Sequence, residues 1–317
     1  MPSQHILITG AAGFLASHLI DALLAQGHTI VGLDSFVTGS RDNIAHLSGH
    51  ERFSFIEADL VNPLPSAITE RRWTRIYHMA SPASPVGYVK HQITTLKVNS
   101  LATMNLMELA ERDGARIFVA STSECYGDPL EHPQKETYWG HVNPIGMRSM
   151  YDEAKRFMEA ATMAYHRERG VDTRIVRIFN TYGPRLAQND GRVVVAFITQ
   201  ALRGEPLTVQ GDGSQTRSLC YVEDEIKGFM ALMESDYRLP MNIGNPDEVS
   251  MLDLAKEIRE LCGSRSEIIH TPLPPDDPKQ RCPDITLARK ILGWEPRVVR
   301  KEGLARTVAF YRKKLGM

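Results

Sequence analysis

The chain has 317 residues, with 37 Lys plus Arg against 38 Asp plus Glu, for a formal net charge of -1. Its 42 % hydrophobic and 24 % charged content excludes disorder, collagen and a disulfide scaffold. The near-zero charge argues against a nucleic-acid binder held mainly by phosphate contacts. A chain this long buries roughly 75 % of the surface its unfolded form exposes and needs no staple to fold. Two lobes are expected, since single cores stop growing near roughly 250–300 residues.

No apolar run reaches the roughly 18–20 residues a membrane span needs. The start of the chain lacks a basic, then apolar, signal core. Cys125, Cys220, Cys262 and Cys282 are far apart and form no CxxC pair, so no zinc, iron–sulfur or dithiol site is expected. Reduced thiols in a cytoplasm fit best. The basic stretch from Arg297 to Lys314 reads as a solvated helix face.

In chain order, the apolar run from His5 to Thr9 predicts a buried parallel strand, closed by Gly10. Phe14 to Gln26 predicts a helix with Leu15, Leu19, Leu23 and Leu24 on one face and Gly27 as its stop. Strands follow at Thr29 to Leu33, Phe53 to Glu57, Arg75 to Met79, Arg116 to Ala120 and Thr173 to Ile178. Long helices are expected over Ile93 to Arg112 and Tyr151 to Arg169. This alternation implies an α/β fold, a Rossmann-type doubly wound parallel sheet whose ligand crevice lies outside the strand carboxyl ends. After Asn180 the pattern loosens into Gly, Pro and Asp clusters, and Pro272 to Pro278 reads as a loop. Residues 1–179 are therefore assigned to a dinucleotide-binding domain, and 180–317 mainly to a smaller C-terminal substrate-binding lobe. The segment from Tyr221 to Gly244 is expected to rejoin the first domain.

The turn from Gly10 to His18 joins the first strand to the first helix with the spacing GxxGxxA. Gly10 permits a tight turn, and Gly13 leaves room for a pyrophosphate near the backbone. The helix start at Phe14 and Leu15 offers unpaired N–H groups. Ala16 takes the position of the usual third glycine, where helix and strand pack. Asp34 ends the second strand, where a carboxylate accepts from an adenosine ribose and repels a 2′-phosphate, favouring NAD over NADP. Thr38 and Gly39 extend the ribose pocket, and Asp59 and Leu60 lie where an adenine edge would sit. Tyr151 and Lys155 are one helical turn apart and share a face. The lysine charge is expected to favour phenolate, which can take a proton from a sugar hydroxyl. Thr122, at the end of its strand, can donate to the oxygen that becomes a ketone. Together these residues describe a short-chain dehydrogenase of the extended type.

Longer motifs carry a sharper resemblance. Ser81 to Pro85, Ser121 to Glu124, Tyr138 to Gly146, Tyr151 to Arg156, Arg177 to Thr181, Asn189 to Val194 and Asp276 to Arg281 resemble the UDP-glucuronate decarboxylase family, also called UDP-xylose synthases. The likeness runs from about His5 to about Tyr311. It implies C4 oxidation of a UDP-sugar acid by NAD, loss of C6 as carbon dioxide from the β-keto acid, protonation at C5 and re-reduction at C4, without a metal. It also implies that Tyr151 is base and then acid, and that Lys155 holds the nicotinamide ribose. Ser81, in the Ser-Pro loop, is counted with the cofactor residues.

The resemblance also implies that Glu124 and Arg281 stand near the carboxylate and C5. Which group delivers the C5 proton is left open, water included. Tyr88, Asn180, Arg185, Arg192 and Arg217 fall where the resemblance places substrate contacts, and Lys97 is a further candidate. The plainer alternatives are lobe–lobe salt bridges for Arg192 and Arg217, a solvated helix charge for Lys97 and a surface arginine for Arg281.

Cys125 and Cys282 depart from the family pattern, replacing valine and lysine. Cys125 reads as a small apolar filler. His18, His78 and His141 read as packed or solvent-facing. A 4-epimerase on the same scaffold is the nearest rival. A 4,6-dehydratase is disfavoured because Ser123 stands where an Asp is wanted, and a non-catalytic NAD-binding protein is a rival of another class. The family is dimeric through its two long helices, to which Met104, Met107, Met158 and Met163 could contribute, although core methionines are the alternative.

Overall fold

The computed structural model of the protein describes residues 3–272 and 280–317. The proline-rich run expected up to Pro278 and the Asp276-Asp277-Pro278-Lys279 part of the last motif fall on 273–279, outside the described residues. The apolar runs form β1 (His5–Thr9), β2 (Thr29–Asp34), β3 (Phe53–Glu57), β4 (Arg75–His78), β5 (Arg116–Thr122) and β6 (Thr173–Ile178). Between them lie α1 (Phe14–Ala25), α2 (Ser66–Thr69), α3 (Pro85–Lys90), α4 (Gln92–Asn99), α5 (Leu101–Asp113) and α6 (Ser149–Arg169).

The strands show no polar alternation because both sheet faces are covered. Leu7, Val31, Ile76, Ile117 and Ile175 enter one apolar cluster with α5 and α6. Ile6, Ile8, Ile30, Tyr77, Phe118 and Val176 enter the other, with α1.

One expected helix is broken. The stretch read as continuous from Ile93 to Arg112 is interrupted at Ser100, whose φ of -116° and ψ of -81° leave the helical region. Polar side chains at the break turn back on the backbone: Ser100 Oγ donates to the Leu96 carbonyl at 2.6 Å. Asn99 Nδ2 donates to the Thr95 carbonyl at 2.8 Å and to Ser81 Oγ at 2.9 Å. Such side-chain bonds compete with helix continuation.

The later chain adds β7 (Thr181–Tyr182), α7 (Val193–Arg203), β8 (Leu207–Gln210), β9 (Thr216–Ser218), β10 (Cys220–Tyr221), α8 (Val222–Glu234), β11 (Pro240–Ile243), β12 (Glu248–Ser250), α9 (Met251–Leu261), β13 (Ile268–Thr271), β14 (Gln280–Arg281), α10 (Thr286–Leu292) and α11 (Arg300–Lys314). β11 pairs parallel with β6, giving a seven-stranded sheet ordered β11-β6-β5-β4-β1-β2-β3. Pro240 opens this edge strand, a position where its missing N–H costs no ladder bond.

Smaller sheets, β10-β7, β12-β9-β14 and β13-β8, carry the remaining strands. They share a core with the large sheet, since Leu254, Ile258, Leu304 and Tyr311 belong to the same cluster as Ile6 and Phe14. The basic C-terminal helix is paired with acids: Arg300 with Asp247 and Glu257, and Arg306 with Glu223. No helix among the described residues is long and apolar enough to cross a membrane.

The α8–β11 connection is tied to the sheet by two arginines, Arg174 buried and Arg116 half-buried. Arg174, fully buried on β6, donates through Nε to the Ser235 carbonyl at 2.7 Å and pairs with Asp172 at 2.7 Å. Arg116 on β5 donates to the Met233 carbonyl at 2.7 Å. Both guanidinium groups thus cap the carboxyl end of α8, which has no basic residue in its own last turn. Burial raises the Asp172 carboxyl, but the hydrogen bonds from Arg174 and Arg116 outweigh it and hold the pKa to about 2. Arg174→Ala is therefore expected to cost about 2–3 kcal/mol of stability in urea unfolding, with no change in substrate KM.

Candidate active site

Strand order reverses between β1 and β4, and the crevice opens there. Gly10 has a φ of +71°, and a Cβ on it would stand 2.7 Å from the Ala80 backbone. Only glycine satisfies both the left-handed turn and this approach. Gly13 precedes α1, so the first-turn N–H groups of Phe14 and Leu15 face the turn, while their side chains pack into the core. Asp34 is buried, and its two oxygens accept from Ala12 N at 2.9 Å and Phe36 N at 2.8 Å. A Cβ on Gly39 would press to 3.0 Å on both oxygens. Burial raises the Asp34 carboxyl, while the backbone donors at Phe36 and Ala12 oppose the shift.

The cleft is lined by Gly10, Gly13, Asp34, Thr38, Gly39, Asp59, Leu60 and Ser81, together with Met79, Ala80, Pro82, Thr94 and Val98. A glycine turn at a helix start, an acid on the next strand and an apolar floor fit a dinucleotide.

Tyr151, Lys155 and Glu159 form a buried stripe down one face of α6. Lys155 Nζ lies 5.8 Å from the centre of the Tyr151 ring and donates to the Ala120 carbonyl at 2.7 Å. Burial pulls its pKa down to about 7, against the attraction of Glu159. The expectation that Lys155 lowers the tyrosine pKa needs correction here. Burial pushes Tyr151 well above the usual phenol range, and a hydrogen bond from the Thr122 side chain and the charge of Arg192 act against it. Tyr88 stacks on Tyr151, with centres 4.8 Å apart and planes at 11°. The Tyr88 hydroxyl is buried without a protein partner.

Beside this pair, Glu124 is clamped by two guanidinium groups, Arg148 at 2.5 Å and Arg281 at 3.0 Å. Arg281 is buried and also donates to the Ser123 carbonyl at 2.7 Å. It is not a surface arginine. β14 sets Arg281 opposite Arg217 on β9. Burial would raise the Glu124 carboxyl, but Arg281, Arg148 and Arg217 outweigh it and keep it ionised. Asp152 behaves oppositely. Burial and the neighbouring Glu124 push it up to about 7, and its Oδ1 has no hydrogen-bond partner.

Arg148 and Asp152 were not picked out from the sequence. Arg148 lies just ahead of α6 in a stretch without a motif of its own, and Asp152 lies inside the Tyr151 to Arg156 motif with no role assigned to it.

Other expected substrate residues are dispersed. Arg192 pairs with Asp190 at 3.0 Å, and Asn180 accepts from Cys220 N at 2.9 Å through its carbonyl. Arg185 turns to Asp21 of α1 at 2.7 Å, and Lys97 is exposed while Thr94 and Val98 of its helix line the cleft. Cys125 is buried beside Tyr126 and Phe179, as a filler should be. His18 contacts the Pro184 carbonyl, His78 is buried against Thr9 and Val98, and His141 is exposed.

A doubly wound sheet with a glycine turn at its switch point, an acid at the end of the second strand and Thr122 and Lys155 gathered around Tyr151 defines an NAD-dependent enzyme of the extended short-chain dehydrogenase class. Comparison with known proteins narrows this. The NAD dependent epimerase/dehydratase family profile matches residues 6–244. UDP-glucuronic acid decarboxylase 1 of Xenopus tropicalis is 51 % identical over 98 % of this chain and 73 % of its own length. UDP-glucuronic acid decarboxylase 5 of Arabidopsis thaliana is 51 % identical over 99 % of this chain and 91 % of its own. The crystal structure of UDP-glucuronic acid 4-epimerase from Bacillus cereus, in complex with UDP-glucuronic acid and NAD, superposes with a TM-score of 0.89 at 29 % identity, covering 98 % of this chain and 99 % of that one. The chain belongs to the NAD dependent epimerase/dehydratase family and, within it, to the UDP-glucuronic acid decarboxylases.

The raised Asp152 pKa makes a linkage prediction. The folded state binds a proton there that the unfolded chain, with an ordinary carboxyl, releases near pH 4. Stability is therefore lost as pH rises from about 4 through about 7. Asp152→Asn should raise the thermal unfolding midpoint at pH 8, and the gain should vanish at pH 4.

Proposed function

We propose that the protein converts UDP-glucuronate to UDP-xylose by NAD-dependent decarboxylation through a 4-keto intermediate. The observation that carries this reading is the Glu124–Arg281–Arg148 clamp beside Thr122, Tyr151 and Lys155. It sets positive charge next to the pair that works on a sugar hydroxyl, as a substrate with its own carboxylate requires. The residues around the crevice fit NAD. Gly10, Gly13 and the start of α1 would hold its pyrophosphate, Asp34 and Gly39 a ribose, and Tyr151 and Lys155 its nicotinamide end. NAD supplies the oxidation at C4 and its reversal.

The protein's own groups do the rest. Thr122 orients the C4 oxygen, and Tyr151 accepts its proton and later returns it. Because burial holds the phenol proton tightly, transfer depends on the Thr122 hydrogen bond and on the charge of Arg192, which both act against that shift. Once C4 is a ketone, the C6 carboxylate is β to a carbonyl. Carbon dioxide leaves with its bonding pair passing into an enolate, and Arg281 and Arg217 place positive charge beside it. Glu124, held as an anion, organises these guanidinium groups. Of the two carboxyls in the cluster, Asp152 is the one that holds a proton near neutrality. Tyr88 offers its unpartnered hydroxyl to the sugar, and Arg192 with Asn180 would meet the UDP portion.

Incubation of the purified protein with UDP-glucuronate, followed by nucleotide-sugar mass and C4 configuration, tests the reading. Carbon dioxide loss with the xylo configuration is expected, and retained mass with inverted C4 would make the protein an epimerase instead. Tyr151→Phe should lower turnover about 10²–10⁴-fold.

We further propose a homodimer formed through the face of α4, α5 and α6 in a reducing, cytoplasmic setting. Met107 and Met158 are fully buried in the intramolecular core and cannot form that seam. Ile93 at 65 % exposure, Leu101 at 49 %, Phe157 at 44 % and Leu96 at 40 % are exposed apolar side chains on these helices. The double variant Ile93→Glu, Phe157→Glu should sediment as a monomer where the parent protein sediments as a dimer.

A further inference from the structure

His132, Glu248 and Cys282 come from three separate segments and converge next to the clamp. His132 lies in the connection before α6, Glu248 opens β12 and Cys282 directly follows Arg281. One ligand atom from each, an imidazole nitrogen, a carboxylate oxygen and the thiol sulfur, falls within 4.8 Å of the other two. His132 Nε2 is 2.9 Å from Glu248 Oε2. Among the described residues this is the one group of His, Cys, Asp and Glu gathered in this way. The sequence gives no hint of it, because the three residues are more than 30 positions apart.

From these contacts we infer a binding site for a thiophilic divalent cation of the zinc class. With bonds of about 2.0–2.3 Å, tetrahedral ligand atoms stand about 3.3–3.8 Å apart. The widest pair here therefore needs to close by about 1 Å, within the reach of side-chain rotation. A nitrogen, oxygen and sulfur donor set selects zinc over magnesium or calcium, which take oxygen alone.

The surroundings hold the ligands in place. Thr216 Oγ1 donates to Glu248 Oε1 at 2.7 Å, leaving Oε2 for the ion. Gln134 fixes Cys282 from both sides, accepting from its N–H at 2.9 Å and donating its own N–H to the Cys282 carbonyl at 2.8 Å. Such supporting bonds orient ligands and sharpen affinity. His132 and Glu248 are about one quarter exposed, which gives the ion an entry path and water a fourth position. On binding, the thiol proton passes to solvent and the sulfur bonds as thiolate. The ion would tie the segment that carries Arg281 to β12 and to the loop before the catalytic helix. The site is complete whether or not the protein decarboxylates UDP-glucuronate.

Cobalt chloride added to chelator-treated protein tests the site without reference to catalysis. One equivalent should produce the near-ultraviolet thiolate-to-cobalt charge-transfer band, with visible bands of tetrahedral intensity, and zinc chloride should bleach both. The band should be absent in Cys282→Ala and weakened at least 10-fold in apparent affinity in His132→Ala. Zinc should raise the thermal midpoint of the parent protein and not of Cys282→Ala. The His132 side chain is partly exposed, so its variant reports even if the buried cysteine variant folds poorly. Absence of a charge-transfer band at one equivalent, or a band that survives both substitutions unchanged, would overturn the site.

Discussion

The Glu124 carboxylate sits between a guanidinium from the start of the catalytic helix and one from the far end of the chain. It offsets much of the cost of enclosing both guanidinium groups, since an unpaired buried charge costs several kcal/mol. The contact joins the turn after β5, the residue that caps α6, and β14 at one point. It therefore fixes where the substrate-facing strands sit relative to Tyr151. It also decides the charge state of the cluster. Glu124 stays ionised because three arginines face it, and burial, reinforced by that negative charge, keeps the proton on Asp152. The pocket holds one carboxylate and one carboxylic acid side by side, separated by environment and not by residue type.

The cofactor side depends on a different constraint, the closeness of two backbones. The turn after β1 passes so near Ala80 that a single methyl group at position 10 would push β1 and β4 apart. That approach narrows the crevice at the switch point and brings the phosphate turn level with the end of β4. Asp34 then closes the far side by accepting from Ala12 of the same turn. Turn and acid are thus coupled before any ligand arrives, which is preorganisation in a physical sense.

Much of this was legible in the sequence because buried parallel strands are short, apolar and closed by glycine or an acid. β1, β3 and β6 fall where their apolar runs begin and end. The turn, Asp34 and the Tyr151–Lys155 pair are local in sequence and so carry their own signal. What was illegible is non-local or depends on a side chain's choice of partner. The break at Ser100 follows from Asn99 reaching Ser81, eighteen residues back, which no helical period encodes. Arg148 and Asp152 gain meaning only from Glu124 and Arg281. Arg185 and Lys97 were placed by pattern, yet one turns to Asp21 and the other to solvent. The direction of the phenol pKa is non-local as well, because it is set by the burial of the packed site, and the same burial pulls down the pKa of Lys155.

The seventh strand has a consequence for how the chain comes to be folded during synthesis. β6 is complete at Ile178, but its outer partner β11 spans Pro240–Ile243. Some sixty residues must emerge from the ribosome before that edge is covered. In the interval, the nascent sheet presents an apolar β6 edge with open backbone donors and acceptors, the kind of template that recruits foreign strands. Arg116 and Arg174 likewise wait, charged and undocked, for the end of α8. Translation speed over residues 179–243 and early chaperone capture should therefore govern the yield of soluble protein more than any single core contact.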